Sequence, residues 1–229
     1  MKRKEPSVSY KDARSLNSFH FSMKLLKSTG KFLILALLTI SVSITSCGKD
    51  DDENDDENGI PEENHLKHDA RMYEISDGIL EYYGQWWDDT GGFNFDITLF
   101  SSGITFDEEL KDFTGKGNMI MFEMFSESKT ELKPGTYTFD ADQSYDAGTF
   151  DRGLFFLNYD IETETAEVTG EIAGGTVKVE KSGSTYKITI DCTDNKGEKL
   201  TGFYEGTLDY YDWSDFWAKS SEKSEKRHK

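Results

Sequence analysis

The chain has 229 residues, with 44 acidic against 26 basic side chains and a formal net charge of −18. That balance excludes a nucleic-acid surface, because phosphate contacts need lysine and arginine in excess, and it argues against electrostatic adhesion to an anionic surface. The length suits one domain with a sizeable core once the N-terminal segments are set aside.

Residues 1–22 are polar and mainly basic, longer than a charged leader needs. Met23-Lys24-Leu25-Leu26-Lys27 makes an ordinary start, so translation is expected from Met23. Phe32 to Ile44, FLILALLTISVSI, carries no charge. A spanning helix needs ~20 apolar residues, which this run does not reach. It fits the apolar core of a secretory signal, with Lys24, Lys27 and Lys31 in front of it. A membrane anchor would show basic stop-transfer residues on the far side, and here the far side is acidic. A buried helix would show a polar face, and this run has none. Residues 1–46 therefore read as a signal peptide to be removed. They hold eight basic and two acidic side chains, a net of +6, so the remaining chain would carry −24.

Ile44-Thr45-Ser46-Cys47 resembles the lipobox of bacterial lipoproteins, although Leu is usual in the first position and Gly or Ala in the third. Lys49 followed by Asp50, Asp51, Asp52 and Glu53 resembles the surface-export signal of Bacteroidota lipoproteins. The resemblance implies that Cys47 becomes the lipidated first residue and that the protein sits on the outer membrane, exposed at the cell surface. One acyl chain at ~0.8 kcal/mol per buried methylene binds marginally, whereas two anchor stably. Residues 47–64 then form an acidic tether, expected to be disordered because dense like charge buries no apolar surface. The alternating ligands and central glycine of a calcium loop are missing from it.

An all-β domain is expected over residues 65–218. His65 and His68 stand three apart, but no third ligand follows at a diagnostic spacing, so a surface turn is expected and no metal. Met72 to Tyr83 is ambiguous in period, its second half reading as a strand closed by Gly84. Phe93 to Phe100 alternates as a half-buried strand should. Asp107 to Gly117 reads as a loop or short helix. Met119 to Phe125, MIMFEMF, is apolar enough for a strand covered on both faces. Further strands are expected at Thr136 to Phe139 and around Leu154 to Leu157. Thr176 to Glu180 and Thr185 to Asp191 form a hairpin, and Lys199 to Tyr211 forms a last strand in which Gly202 and Gly206 mark bulges or close packing. The sum is a single antiparallel meander of about eight strands, closed as a barrel or folded as a sandwich. Residues 219–229 form a tail expected to be disordered. Cys192, alone once Cys47 is lipidated, is expected to pack as a small apolar residue.

Tyr83-Gly84, Phe93-Asn94-Phe95, Pro134-Gly135-Thr136-Tyr137, Gly175 to Val179 and Tyr186-Lys187-Ile188 together resemble small calycin-like domains of Bacteroidota surface lipoproteins. That resemblance implies a fold and a setting, not a reaction.

No nucleophile elbow, metal triplet or phosphate loop is present, so no catalytic residue and no cofactor are expected. A non-catalytic binding module for glycan, peptide or a small apolar ligand is favoured. A structural subunit of a surface assembly comes next, and a glycosidase with paired carboxylates last. The expected binding site is the Gln85 to Gly92 turn, where Trp86 and Trp87 supply apolar faces and Asp88 and Asp89 supply acceptors. The expected partners are the membrane, through the lipid on Cys47, and that ligand, with no nucleic acid. Intact mass of the membrane-extracted protein should show a lipidated chain beginning at Cys47, and Cys47→Ala should release it from the membrane. A chain that begins earlier contradicts the signal reading.

Overall fold

The computed structural model describes residues 63–85 and 91–215. The signal segment, Cys47, the export residues 49–53 and the tail from residue 216 lie outside the described residues. Twelve strands follow one another: β1 (His65–His68), β2 (Arg71–Glu74), β3 (Asp77–Gln85), β4 (Phe93–Phe100), β5 (Ile104–Asp107), β6 (Asp112–Ser126), β7 (Gly135–Phe139), β8 (Thr149–Asp160), β9 (Val168–Ser182), β10 (Thr185–Asp194), β11 (Lys199–Thr207) and β12 (Asp209–Asp212). They build one sheet in the order β12-β3-β4-β6-β8-β7-β9-β10-β11-β1-β2, with β5 paired to β6 beside this path. The sheet curls into a half-barrel.

The domain is all-β, but it is neither an eight-stranded nor a purely antiparallel meander. Two pairings are parallel. β12 returns along the outer edge of β3, with Tyr211 opposite Glu81. β7 lies parallel to β8 through Thr138 and Phe139, and antiparallel to β9 through Gly135 to Thr138. The reason is a wedge. β8 and β9 pair directly only where Leu154 to Leu157 meet Val168 to Glu171, and β7 fills the gap where they part.

The extra strands come from places where local pattern is weak. His65 to His68 is a strand rather than a surface turn. The stretch around residues 107–117 is neither loop nor helix throughout. It turns β5 into the start of β6, with Phe106 opposite Phe113. The ambiguous segment after Arg71 breaks at Ile75 and Ser76. The Ile75 amide donates to the Asn64 carbonyl and the Ser76 amide to that of Phe100, so the chain steps there from β2 to the opposite part of the sheet. Gly84 does not end β3. It lies at a register shift with φ of 87°, a bulge conformation that glycine adopts without strain.

The two parts of the sheet are buried differently. Along β10, Tyr186, Ile188, Ile190 and Cys192 face the core while Lys187, Thr189 and Asp191 face water, the period of a strand with one wet face. Along β4 and β6 both faces are buried. Phe95, Ile97, Leu99, Ile120, Phe122 and Met124 join the main core, while Thr98, Phe100, Met119 and Phe125 on the other face are buried as well. The cover over that second face includes the β5–β6 hairpin and β12. Phe113 packs against Phe100, and Phe106 touches both Phe113 and Tyr211.

β1 belongs to the core. Leu66 is fully buried, opposite Gly202 on β11 and Tyr73 on β2. A Cβ on Gly202 would lie 2.8 Å from the Leu66 side chain, so that glycine serves close packing. Leu66→Ala should destabilise the domain by ~2–5 kcal/mol in urea unfolding. A loss below ~1 kcal/mol would place β1 outside the cooperative unit.

Candidate functional site

Trp86, Trp87, Asp88 and Asp89 lie in the stretch 86–90, outside the described residues. The strands on either side of that stretch place a set of charged residues side by side. Glu81 on β3 stands opposite Asp96 on β4, Asp96 opposite Glu123 on β6, and Glu123 opposite Arg152 on β8. Side chains directly across from one another have Cβ atoms ~4.5–5.5 Å apart. The four therefore form one row on the outer face, three carboxylates ending in a guanidinium. All four are half-buried. Asn94, two residues before Asp96 on the same face, donates its amide to Asp96 Oδ1 at 2.9 Å.

Next to this row the outer face turns apolar, with Ile79, Thr98, Phe100 and Met119 buried. A series of rings crosses it: Phe100, Phe113, Phe106, Tyr211 and Trp213, with neighbouring centroids 4.9–5.6 Å apart. The last two rings are parallel to within 3°. Pairing of β12 with β3 sets Tyr211 beside Glu81, and the Trp213 amide continues that pairing by donating to the Tyr82 carbonyl at 2.8 Å. Asp212 then turns the chain, accepting both the Ser214 amide and the Ser214 hydroxyl on Oδ1.

The ring series ends on the charged row. Trp213 Nε1 donates to Glu81 Oε1 at 2.9 Å, and the Tyr83 hydroxyl donates to the same oxygen at 3.1 Å. Lys111 Nζ lies 3.9 Å from the Trp213 ring centroid, within cation–π range. Burial pushes the Glu81 carboxyl above the usual range, although the two hydrogen bonds and Lys111 pull the other way. The arrangement offers flat apolar faces next to fixed hydrogen-bond acceptors, the mixture a polar organic ligand requires.

A second polar cluster stands elsewhere. His68 is buried, and its Nε2 lies 3.3 Å from both Asp194 Oδ2 and Glu198 Oε2. Asp194 follows Cys192 on the inward face of β10, and its carboxyl is held below the usual range. Burial raises it, but the amides of Glu198 and Lys196 and the nearby His68 outweigh burial. Cys192 itself is fully buried in the core, and burial pushes its thiol up to about 12, so it packs rather than reacts.

Tyr211, Asp212 and Trp213 stand out in sequence as aromatics and an acid at a strand end. The row does not stand out, because its members are separated by 71 positions from Glu81 to Arg152 and only register aligns them. Two of them leave a trace. Glu123 is the single charge in MIMFEMF, a stretch otherwise apolar on both faces, and Asp96 is the single charge in FNFDITLF. Compared with known proteins, the chain matches no family model, no curated protein and no solved structure.

Because ionised Glu81 is disfavoured in the fold, stability should fall as pH rises from its unfolded value, ~4.3, through its higher folded value. Glu81→Gln keeps an acceptor for Trp213 and removes the charge. Its melting temperature should match or exceed the native one at pH 8, and that advantage should vanish at pH 4. An advantage that does not change with pH contradicts this assignment.

Proposed function

We propose that the protein is a surface lipoprotein of the Bacteroidota type, anchored through Cys47, whose calycin-like β domain is a non-catalytic module binding glycans. The anchor reading rests on the apolar run, the cysteine and the acidic stretch after it. The observation that carries the ligand reading is the Tyr211–Trp213 pair ending on Glu81. Parallel rings give a sugar a face on which its C–H bonds stack, and the row Glu81, Asp96 and Glu123 supplies acceptors for hydroxyls. Lys111 is exposed, so its ammonium can exchange the Trp213 face for water as a sugar ring takes its place.

A glycosidase is the second reading. Glu81 and Asp96 are cross-strand neighbours, and Glu81 has the raised carboxyl that a general acid requires. Retaining enzymes hold their carboxyl pair ~5–5.5 Å apart. The binding reading is preferred because Glu81 Oε1 is already engaged by two donors, Trp213 and Tyr83. Those two bonds fix the carboxyl group in place as a positioned acceptor, and Oε2 is the oxygen that would meet a sugar hydroxyl. Assembly by strand addition has less support. β2 forms one end of the sheet, but it is four residues long and carries Arg71 and Glu74, as protected edges do.

The purified protein should give selective hits on a glycan array, and Trp213→Ala should reduce the strongest of them at least tenfold while the domain stays folded. Incubation with the bound glycan should release no new reducing ends. An array without hits, or hits unaffected by Trp213→Ala, contradicts the binding reading. Release of reducing ends that stops in Glu81→Gln establishes the hydrolase instead.

A further inference from the structure

We propose that His68 Nε2, Asp194 Oδ2 and Glu198 Oε2 form a binding site for a divalent transition-metal cation, for which Zn²⁺ is the best match. Zinc with nitrogen and oxygen ligands at ~2.0–2.2 Å in a tetrahedron separates those ligands by ~3.3–3.5 Å. Both carboxylate oxygens lie 3.3 Å from Nε2. All three ligating atoms fall within 4.8 Å of one another. A cation at their centre would need only a small inward movement of Glu198, whose side chain is half exposed.

Charge points the same way. The side chain of Asp194 is completely buried and that of His68 nearly so. An imidazole nitrogen carries one proton at most, and that proton cannot satisfy two carboxylates converging on it. A divalent cation neutralises both. Asp194 is also prepared as a ligand by its surroundings. Its Oδ1 accepts the amides of Lys196 at 2.9 Å and Glu198 at 2.8 Å, which fixes the carboxylate and directs Oδ2 towards His68. Supporting bonds of that kind orient metal ligands. Phe155, its ring centroid 5.0 Å from that of His68, packs beside the imidazole.

One imidazole with two carboxylates suits zinc better than calcium, which prefers six to eight oxygens. Glu198 reaches the cluster from the solvent side, so water can take the fourth position. The three ligands come from β1, from the end of β10 and from the turn that follows it, and His68 pairs with Leu200 just beyond that turn. The ion would therefore clamp the first strand of the domain to its neighbour. That role is independent of the glycan site.

The test uses the purified full chain, stripped with EDTA and dialysed. Zn²⁺ alone should bind tightly at one site per chain and raise the melting temperature, as any ligand selective for the folded state does. Co²⁺ in its place should give the intense visible bands of a four-coordinate ion. Glu198→Gln, at a half-exposed position that the fold tolerates, should weaken Zn²⁺ binding at least tenfold and remove the thermal shift. Asp194→Asn, which keeps the amide-accepting oxygen, should do the same. If Zn²⁺ leaves the melting temperature unchanged, or if both variants bind it as the native chain does, the site does not exist.

Discussion

The structure depends on burying β4 and β6 on both faces. Strands in an antiparallel half-barrel ordinarily need only one apolar face, with the other in water. Here Met119, Phe100, Thr98 and Phe125 are buried on the second face, and leaving that much apolar surface exposed would be strongly unfavourable at ~25 cal/mol per Å². The chain answers with a hairpin between β5 and β6 and with a final strand laid parallel to β3. Both extras follow from this one constraint, and so does the ring series from Phe100 to Trp213. The candidate binding site lies where that cover stops. Beyond the buried rows the outer face becomes Glu81, Asp96, Glu123 and Arg152, and Trp213 joins the two regimes with one hydrogen bond.

The polar cluster at His68 arises from the opposite arrangement. β1 and β10 alternate between core and water, so each inward position should be apolar. Leu66 and Cys192 obey, and the next inward residues, His68 and Asp194, do not. Two polar groups at core positions of adjoining structure require each other or a shared partner, because burying either alone is costly. The turn Asp194 to Glu198 closes around this need. Its own amides hold one oxygen of Asp194 and leave the other for His68.

Much of the fold could be read from local pattern. Phe93 to Phe100 is a strand at the expected residues, MIMFEMF is at least half-buried on both faces, and Gly183 and Ser184 join β9 to β10 as a hairpin. What sequence hid was pairing. Nothing local in Asp209 to Asp212 states that it lies parallel to β3, and nothing in Gly135 to Phe139 states that it separates β8 from β9. The sites were hidden for the same reason. His68 and Asp194 are 126 positions apart, so the spacing of His65 and His68 carried no sign of that pairing. The expected tryptophan pair at 86 and 87 lies outside the described residues, and the described aromatic pair, Tyr211 and Trp213, comes from the other end of the domain. Its members flank Asp212 in DYYDW, a cluster visible in sequence but without a stated neighbour.

The central claim is that ligand binds where the ring series meets the charged row. Hydrogen exchange of the backbone, followed by mass spectrometry with and without a glycan selected on the array, tests it most directly. The account predicts added protection in peptides covering residues 79–83 and 209–213, with the turn at residues 194–198 unchanged. Protection confined to β9 to β11, or no change in either strand beside Trp213, would contradict it.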